Sequence, residues 1–591
     1  MARLRRHADF IKGIGVSPGI VISRAYVIKK GMEGEAQYCH LTGEDSLQET
    51  ERLKKALEDS RAQLQRVRAK MESDGREKEH IQIIDAHLMM MQDNMLIGDT
   101  IKIIEQERIN AEWALKKILK RLMDHFNGVD DDYLRERSYD FEHIVSRIIS
   151  NLSGRHEDYS LATMREPAIV VAHNLSPADT AQMSKDMVLG FITDLGGKTS
   201  HTAIMARALE IPAIVGLETA TIKINTDDTI IIDGNTGTVV INPPESVIEV
   251  YRKKQERYAD FDRDLHHYRN LPCETMDGRS ISIRGNMELI DDVTALKDHG
   301  AEGIGLYRTE FLYMNRRDLP TEEEHFRAYS EVARKVFPHP VIIRTLDIGG
   351  DKELPGLNPS EEPNPALGLR AIRLCLSHRD VFKAQLKGIL RSSAEGNVKI
   401  MFPMISGVGE LRMAKAILDE AKAELEHEEV PFNSEIEIGI MIEVPAAAVI
   451  ADLLVQEVDF ISIGTNDLLQ YSLAIDRSNE HVAYLYEPYH PAVLRIIKSV
   501  ADAAIKAGID VGVCGEMAGE PEYAMILLGF GIQTLSMNAI SILKVKRLMR
   551  SINYSMARDI CDEISAFATS IEVEKHVNER LPDFYSEEFS R

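Results

Sequence analysis

The sequence predicts a multidomain α/β protein: a small α/β domain interrupted by a helical bundle, followed by a closed (β/α)8 barrel of the TIM type. Three observations predict it. From about residue 280 onward, eight β-like runs alternate with amphipathic helical segments. Short runs rich in Val and Ile occur at 14–28 and again between about 167 and 242. Between those two groups, from about 44 to 155, the apolar residues recur at helical spacing with hardly a proline.

The opening segment IGVSPGIVISRAYVI is broken by a Pro-Gly pair, which reads as two short strands joined by a turn. Two strands cannot bury a core alone. In the helical block, Leu53, Leu57, Leu64, Val67 and Met71 fall on one face of a helix. The runs AIVVAHN, MVLGFIT, AIVG, TIIIDG and TVVIN follow, separated by Gly, Pro and Asp turns. The first strands are therefore expected to pair with this segment across the inserted helices. After Pro243 and Pro244, the charged stretch VIEVYRKKQERYADFDRDLHHYRN reads as a connecting helix rather than part of a core, and as a candidate hinge.

The barrel expectation rests on ISIRGNM, GIGLYRTEF, PVIIRTLDIGG, VKIMFPMI, EIGIMIEV, DFISIGTND, DVGVCGEM and TLSMNA. Apolar β-branched runs, each followed by a helix, are what a parallel sheet with covered faces requires. Eight such units match the usual length of a (β/α)8 barrel, about 250 residues and more with insertions.

Composition bounds the function. The chain has 591 residues, too many for one hydrophobic core. Its formal net charge of -24 argues against nucleic acid, because a polyanion is bound through a basic surface. Five cysteines are scattered without a CxxC pair, so neither a disulfide framework nor a thiolate zinc site is expected, and a reducing, cytoplasmic setting fits. Asp9 and Lys12 interrupt what would be the apolar part of a signal peptide. No stretch of about 18 uncharged apolar residues, the length a membrane span needs, occurs in the sequence.

In a (β/α)8 barrel the active site is built at the carboxyl ends of the strands. Here those ends are charged: Arg308, Arg344, Glu443, Asn466 with Asp467, and Cys514 with Glu516. Guanidinium forks bind carboxylate and phosphate in bidentate fashion, so two arginines facing a carboxylate pair suit a small, doubly anionic substrate and a divalent metal. Glu443 and Asp467 are the expected Mg²⁺ ligands, since hard oxygen donors completed by substrate and water hold that ion in phosphoryl transfer. The alternative is that these carboxylates only neutralise the arginines. A second constellation, GGKTSHTAIMARALEIPAIVG, places His201 after two glycines that allow a tight turn, with Thr199 or Ser200 available to cap a helix. A helix amino terminus favours an arriving phosphate and keeps the imidazole neutral for attack.

GGKTSHTAIMAR resembles the phosphohistidine signature of the phosphoenolpyruvate-utilising enzymes, and DFISIGTNDLLQYSLAIDR resembles their second signature. GLYRTEFLYM, IRTLDIGGDKELP, IMIEVPAAA and VGVCGEMAGE match in the same order, so the resemblance extends over nearly the whole chain. Pyruvate phosphate dikinase and phosphoenolpyruvate synthase carry a large ATP-binding domain for which this chain has no room. The first 160 residues and Thr202 directly after the histidine are instead similar to the Enzyme I group of the sugar phosphotransferase system.

The resemblance implies residues 1–35 and 156–243 as a swivelling phosphohistidine domain, 36–155 as the domain that binds the histidine carrier protein HPr, 244–270 as a linker helix and 271–591 as the phosphoenolpyruvate-binding barrel. It implies that Arg308, Arg344, Asn466, Asp467 and Arg477 bind phosphoenolpyruvate, with help from Lys352 and Arg370. Glu443 and Asp467 would hold Mg²⁺, His201 would take the phosphoryl group, and Cys514 would protonate the enolpyruvate carbon. Met89, Met90 and Leu96 in HLMMMQDNML would contact the carrier, although a Met stripe at helical spacing also fits a helical core. Homodimerisation through the barrel is a further implication. Lys198 stands where many members have arginine, and RGNMEL matches loosely, so Asn286 receives no role. Two other readings compete: a dikinase-like protein without its nucleotide domain, and a catalytically silent sensor of phosphoenolpyruvate.

Overall fold

The computed structural model describes residues 9–28, 38–42, 45–73, 87–91, 96–127, 144–153, 166–175, 186–197, 211–290, 292–313, 318–349, 364–476 and 482–581, with a few single positions between them. They fall in two compact units, 1–261 and 262–591.

In the first unit the described strands make an eight-stranded mixed sheet. They are β1 (Asp9–Lys12), β2 (Ile14–Ser17), β3 (Ile20–Ile28), β4 (Ala168–Ala172), β5 (Val188–Thr193), β6 (Ala213–Val215), β7 (Thr229–Asp233) and β8 (Thr238–Ile241), in the spatial order β1-β8-β7-β3-β4-β5-β6-β2. β3 sits between β4, which it joins in parallel, and β7, which it joins antiparallel. The amino-terminal strands therefore do pair across the helical insertion. β4 is buried on both faces, which is why it reads as an unbroken apolar run. β1 was not legible in the sequence, because its alternation is hidden in a basic, polar opening; it pairs with β8 as an edge strand.

The inserted block contains α1 (Asp45–Ser73), α2 (Ile97–Glu107) and α3 (Ala111–Asn127). Leu53, Leu57 and Leu64 of α1 pack with Ile104 of α2 and Leu115 of α3 in one apolar cluster. The side chains of Val67 and Met71 lie outside the described ones. Helix α4 (Glu245–His266) corrects the reading of a helix outside the core. Val247 and Tyr251, one turn apart, are buried against Ile20, Ile231 and Val240 of the sheet. Two apolar residues at this spacing suffice to seat a turn, and the dense charge around them obscured the pair.

The second unit is a closed parallel barrel, with all eight expected runs as strands. They are β9 (Ser282–Met287), β10 (Ile304–Tyr307), β11 (Val341–Arg344), β12 (Val398–Phe402), β13 (Ile438–Ile442), β14 (Phe460–Ile463), β15 (Asp510–Val513) and β16 (Thr534–Met537). β16 closes on β9 through the pairs Thr534–Ser282 to Met537–Gly285. The outward residues of the strands join the helices in one continuous core, while Leu306, Ile342, Met401, Met441, Phe460 and Cys514 form a separate inner cluster. No described helix is long and apolar enough to cross a membrane.

Candidate active site at the carboxyl mouth of the barrel

The charged residues expected at the strand ends do converge. Arg344 closes β11, and its guanidinium is buried, 8% exposed. Its Nη2 donates to Glu310 Oε1 at 2.7 Å and its Nη1 lies 2.8 Å from Asp347 Oδ2. Asp347 is shared: its other oxygen accepts from Arg370 Nη2 at 2.9 Å. Burial opposes every charge in this chain of ions, but Arg344 and Arg370 beside Asp347 hold its carboxyl below the usual carboxylate range, and the carboxylates in turn hold both guanidiniums above theirs. The arginines are thus neutralised chiefly by Glu310 and Asp347, with Asp467 of the predicted metal pair at the longer distance of 4.0 Å from Arg370.

Arg370 precedes the helix Ala371–Ser377 and reaches the mouth because its segment bridges to Gly349. A Cβ on Gly349 would stand 2.3 Å from Arg370 Cβ, so only glycine permits this approach. Arg370 Nη1 donates to the Tyr471 hydroxyl at 3.2 Å, and Nη2 lies 4.0 Å from Asp467 Oδ2. Asn466 and Asp467 occupy the first turn of the helix Thr465–Leu473, where a negative charge complements the helix dipole. Asn466 Oδ1 accepts from Glu516 N at 2.9 Å, which ties the sixth strand end to the seventh. Arg308, following β10, pairs closely with Glu288. Arg344 Nε is buried with no partner among the described residues, a spare donor where buried polar atoms are normally paired.

Glu443 follows β13 and is 1% exposed. One oxygen accepts from Met404 N at 2.6 Å. Burial first, and then the like charges of Asp347 and Asp467, push its carboxyl well above the usual range. Gly464 lets β14 pass close, since a Cβ there would lie 2.8 Å from Glu443 Oε2. A buried carboxylate crowded by a second one is an arrangement that a divalent cation relieves, so the donor set fits a hard metal ion.

Cys514 follows β15 at 3% exposure. Burial pushes its thiol up to about 11, and Glu443 adds to the effect against Ser462, Arg344 and Arg308. The group is therefore a protonated thiol near neutral pH, as a proton donor must be.

The remaining predicted residues divide. His201, Lys352 and Arg477 lie outside the described residues. Met89 is exposed and Met90 half-buried, whereas Leu96 is fully buried with Met91 and Ile104 in the helical core. This corrects the expectation for Leu96: the repeat places it on the inner face, and it offers no contact surface. Sequence reasoning missed Glu310, Asp347, Tyr471 and Asn286. Asn286 donates to Cys514 O at 2.9 Å. Asp347 had a visible signal, an acid two residues before the Gly349 that brings Arg370 in.

A closed barrel whose mouth joins buried guanidiniums to a crowded carboxylate pair defines an enzyme that handles a small, highly charged anion, and family models specify the anion. Residues 262–554 match the PEP-utilising enzyme, PEP-binding domain; 12–137 match the N-terminal domain of PEP-utilising enzymes and 164–237 their mobile domain. The phosphoenolpyruvate-protein phosphotransferase of Staphylococcus carnosus is 42% identical over 573 residues, 97% of this chain and 99% of that protein. The phosphoenolpyruvate-protein phosphotransferase of Listeria monocytogenes is 44% identical over 567 residues, 96% of this chain and 98% of its own. The chain belongs to the phosphoenolpyruvate-protein phosphotransferase family. A solution structure described as Enzyme I (nEIt) is 37% identical and covers 42% of this chain and 99% of that one, with a TM-score of 0.35.

Proposed function

We propose that this chain is a phosphoenolpyruvate-protein phosphotransferase that moves the phosphoryl group of phosphoenolpyruvate to its own His201 and then to the histidine carrier protein HPr, the first step of sugar uptake. The observation that carries the reading is the Arg344–Asp347–Arg370 chain beside Glu443, within a sequence 42% identical to an enzyme of that name over 97% of its length.

Arg344, Arg370 and Arg308, together with Asn466, Arg477 and Lys352, bind the phosphate and carboxylate of the substrate. Arg344 is suited to this because its Nε is a donor without a partner among the described residues. Glu443 and Asp467 hold Mg²⁺, which when bound neutralises charge on the transferring phosphoryl group. His201 attacks phosphorus in line, and the Cys514 thiol gives its proton to the methylene carbon of the departing enolpyruvate. Forming pyruvate in this way removes the leaving group and drives the transfer forward.

The domain bounds follow the same reading: 1–35 with 156–243 carry the histidine, 36–155 dock the carrier through Met89 and Met90, 244–270 link, and 271–591 bind phosphoenolpyruvate. The protein works in the cytoplasm as a homodimer through the barrel. The test is incubation with ³²P-phosphoenolpyruvate and Mg²⁺, then a chase with purified HPr. Wild type takes up acid-labile label and passes it on, and His201→Ala takes up none. Equal uptake by the variant, or none by wild type, overturns the assignment.

A further inference from the structure

The barrel interior is divided lengthwise. One side is the dry cluster that Cys514 joins. The side made by β14, β15, β16 and β9 is polar, because every second residue of a strand points the same way and the inward ones here are Ser462, Asp510, Gly512, Thr534, Ser536 and Arg284. Barrels of this kind are ordinarily filled with branched apolar side chains, so a polar wall is a departure.

Those six residues, together with others that include Ile342 and Phe460 of the dry cluster, line a cavity of about 10 Å³ at the seam between the two sides, room for one water molecule. At its outer end Asp510 has a side chain 45% exposed, lies 3.7 Å from Arg284 and accepts from Thr534 Oγ1 at 3.1 Å. At its inner end the Ser462 side chain, 5% exposed, sits on the strand next to Cys514, where its hydroxyl works against burial to lower the thiol, while Cys514 Sγ lies 3.9 Å from Ile463 O. Asp510 and Cys514 stand four residues apart along one strand, a span of about 13 Å. Gly512, between them, adds no side chain to fill the gap. A second polar string runs alongside, from Ser536 Oγ to Asn286 Oδ1 at 2.6 Å and from Asn286 Nδ2 to Cys514 O at 2.9 Å.

The need for such a wall follows from the proposed role of Cys514, on which this inference rests. Each turnover leaves a thiolate at 3% exposure among apolar neighbours, and it must regain a proton before the next. We propose that the polar wall is the proton-return path: a solvent proton enters past Asp510, crosses the cavity water and reaches Cys514 through the Ser462 hydroxyl. The Ser462 O–H bond breaks as the S–H bond forms, the cavity water gives a proton to the Ser462 oxygen, and bulk water restores the cavity water. One proton enters for each pyruvate made, and no other reactant is consumed.

The test is rapid-quench measurement of pyruvate with the full chain, phosphoenolpyruvate, Mg²⁺ and excess HPr. Thr534→Val keeps the shape but removes the hydroxyl. It is expected to form the first pyruvate per site at the wild-type rate and then to slow about 100- to 10,000-fold, the range of a lost proton-transfer group, so that a burst appears. Ser462→Ala should do the same, and Thr534→Ser should restore the steady rate. A steady rate equal to wild type in both hydroxyl-deleted variants overturns the path, and so does an equal slowing of first and later turnovers, which marks a structural effect. Wild-type protein that takes no label onto His201 overturns the parent function and the path together; normal uptake with no burst overturns the path alone.

Discussion

Arg344 Nη1 and Asp347 Oδ2 lie 2.8 Å apart, three residues from one another at the exit of β11, and the same carboxylate holds Arg370. One buried acid thus orders two cations from different segments.

Asp347→Asn leaves both guanidiniums buried and short of one counter-charge. Removing one partner of a buried pair costs about 3 to 5 kcal/mol, part of which the remaining Glu310 contact offsets for Arg344. A lowered urea midpoint of the barrel unit and a raised KM for phosphoenolpyruvate are expected, read by denaturation and steady-state kinetics.

Glu443→Gln keeps the shape and removes the charge that burial, Asp347 and Asp467 oppose. The metal-free protein is expected to melt at a higher temperature than wild type, while the upward shift in Tm that Mg²⁺ or Mn²⁺ gives wild type is lost. Calorimetry with EDTA and with metal separates the two effects; an unchanged metal-induced shift would remove Glu443 from the ligand set.

Leu96 and Met89 are predicted to behave oppositely. Leu96→Ala opens a cavity in the helical core and should cost about 2 to 5 kcal/mol, seen in a thermal melt. Met89→Asp, at an exposed position, should leave the melt and the labelling of His201 unchanged but slow transfer to HPr. Unimpaired transfer would take the docking surface elsewhere on the block.

Burial raises the thiols of Cys273 and Cys561 from 9.0 to about 12, and that of Cys514 to about 11. The folded chain keeps these protons where the unfolded chain has lost them. Their contribution is therefore complete below pH 9 and lost progressively as pH rises from about 9 toward 11 to 12. The urea midpoint should fall across that window, and Cys273→Ala should flatten the fall.

Much of this architecture is legible in the chain because a covered parallel strand must be apolar on both faces; DFISI and EIGIMI could hardly be anything else. The strand ends were legible for the related reason that charge directly after such a run has no place but the mouth. Glu310 and Asp347 were not, because an ion-pair partner is chosen by which segments meet in space. Arg370 reaches Asp347 only through the close pass at Gly349. Leu96 failed differently: helical periodicity marks a face without saying which way it turns. Val247 and Tyr251 were hidden by the charges that surround them.

The sheet of the first unit is sewn from both ends of its segment: Ile11 pairs with Val239, and Val27 with Val171. On the ribosome, the helical block emerges whole while β1 to β3 still lack neighbours, so it can condense first from its own local contacts. The sheet is completed only when β8 arrives. Until then the early strands present bare edges, and a translational pause inside residues 168–241 would prolong the interval in which nascent chains can stick to one another.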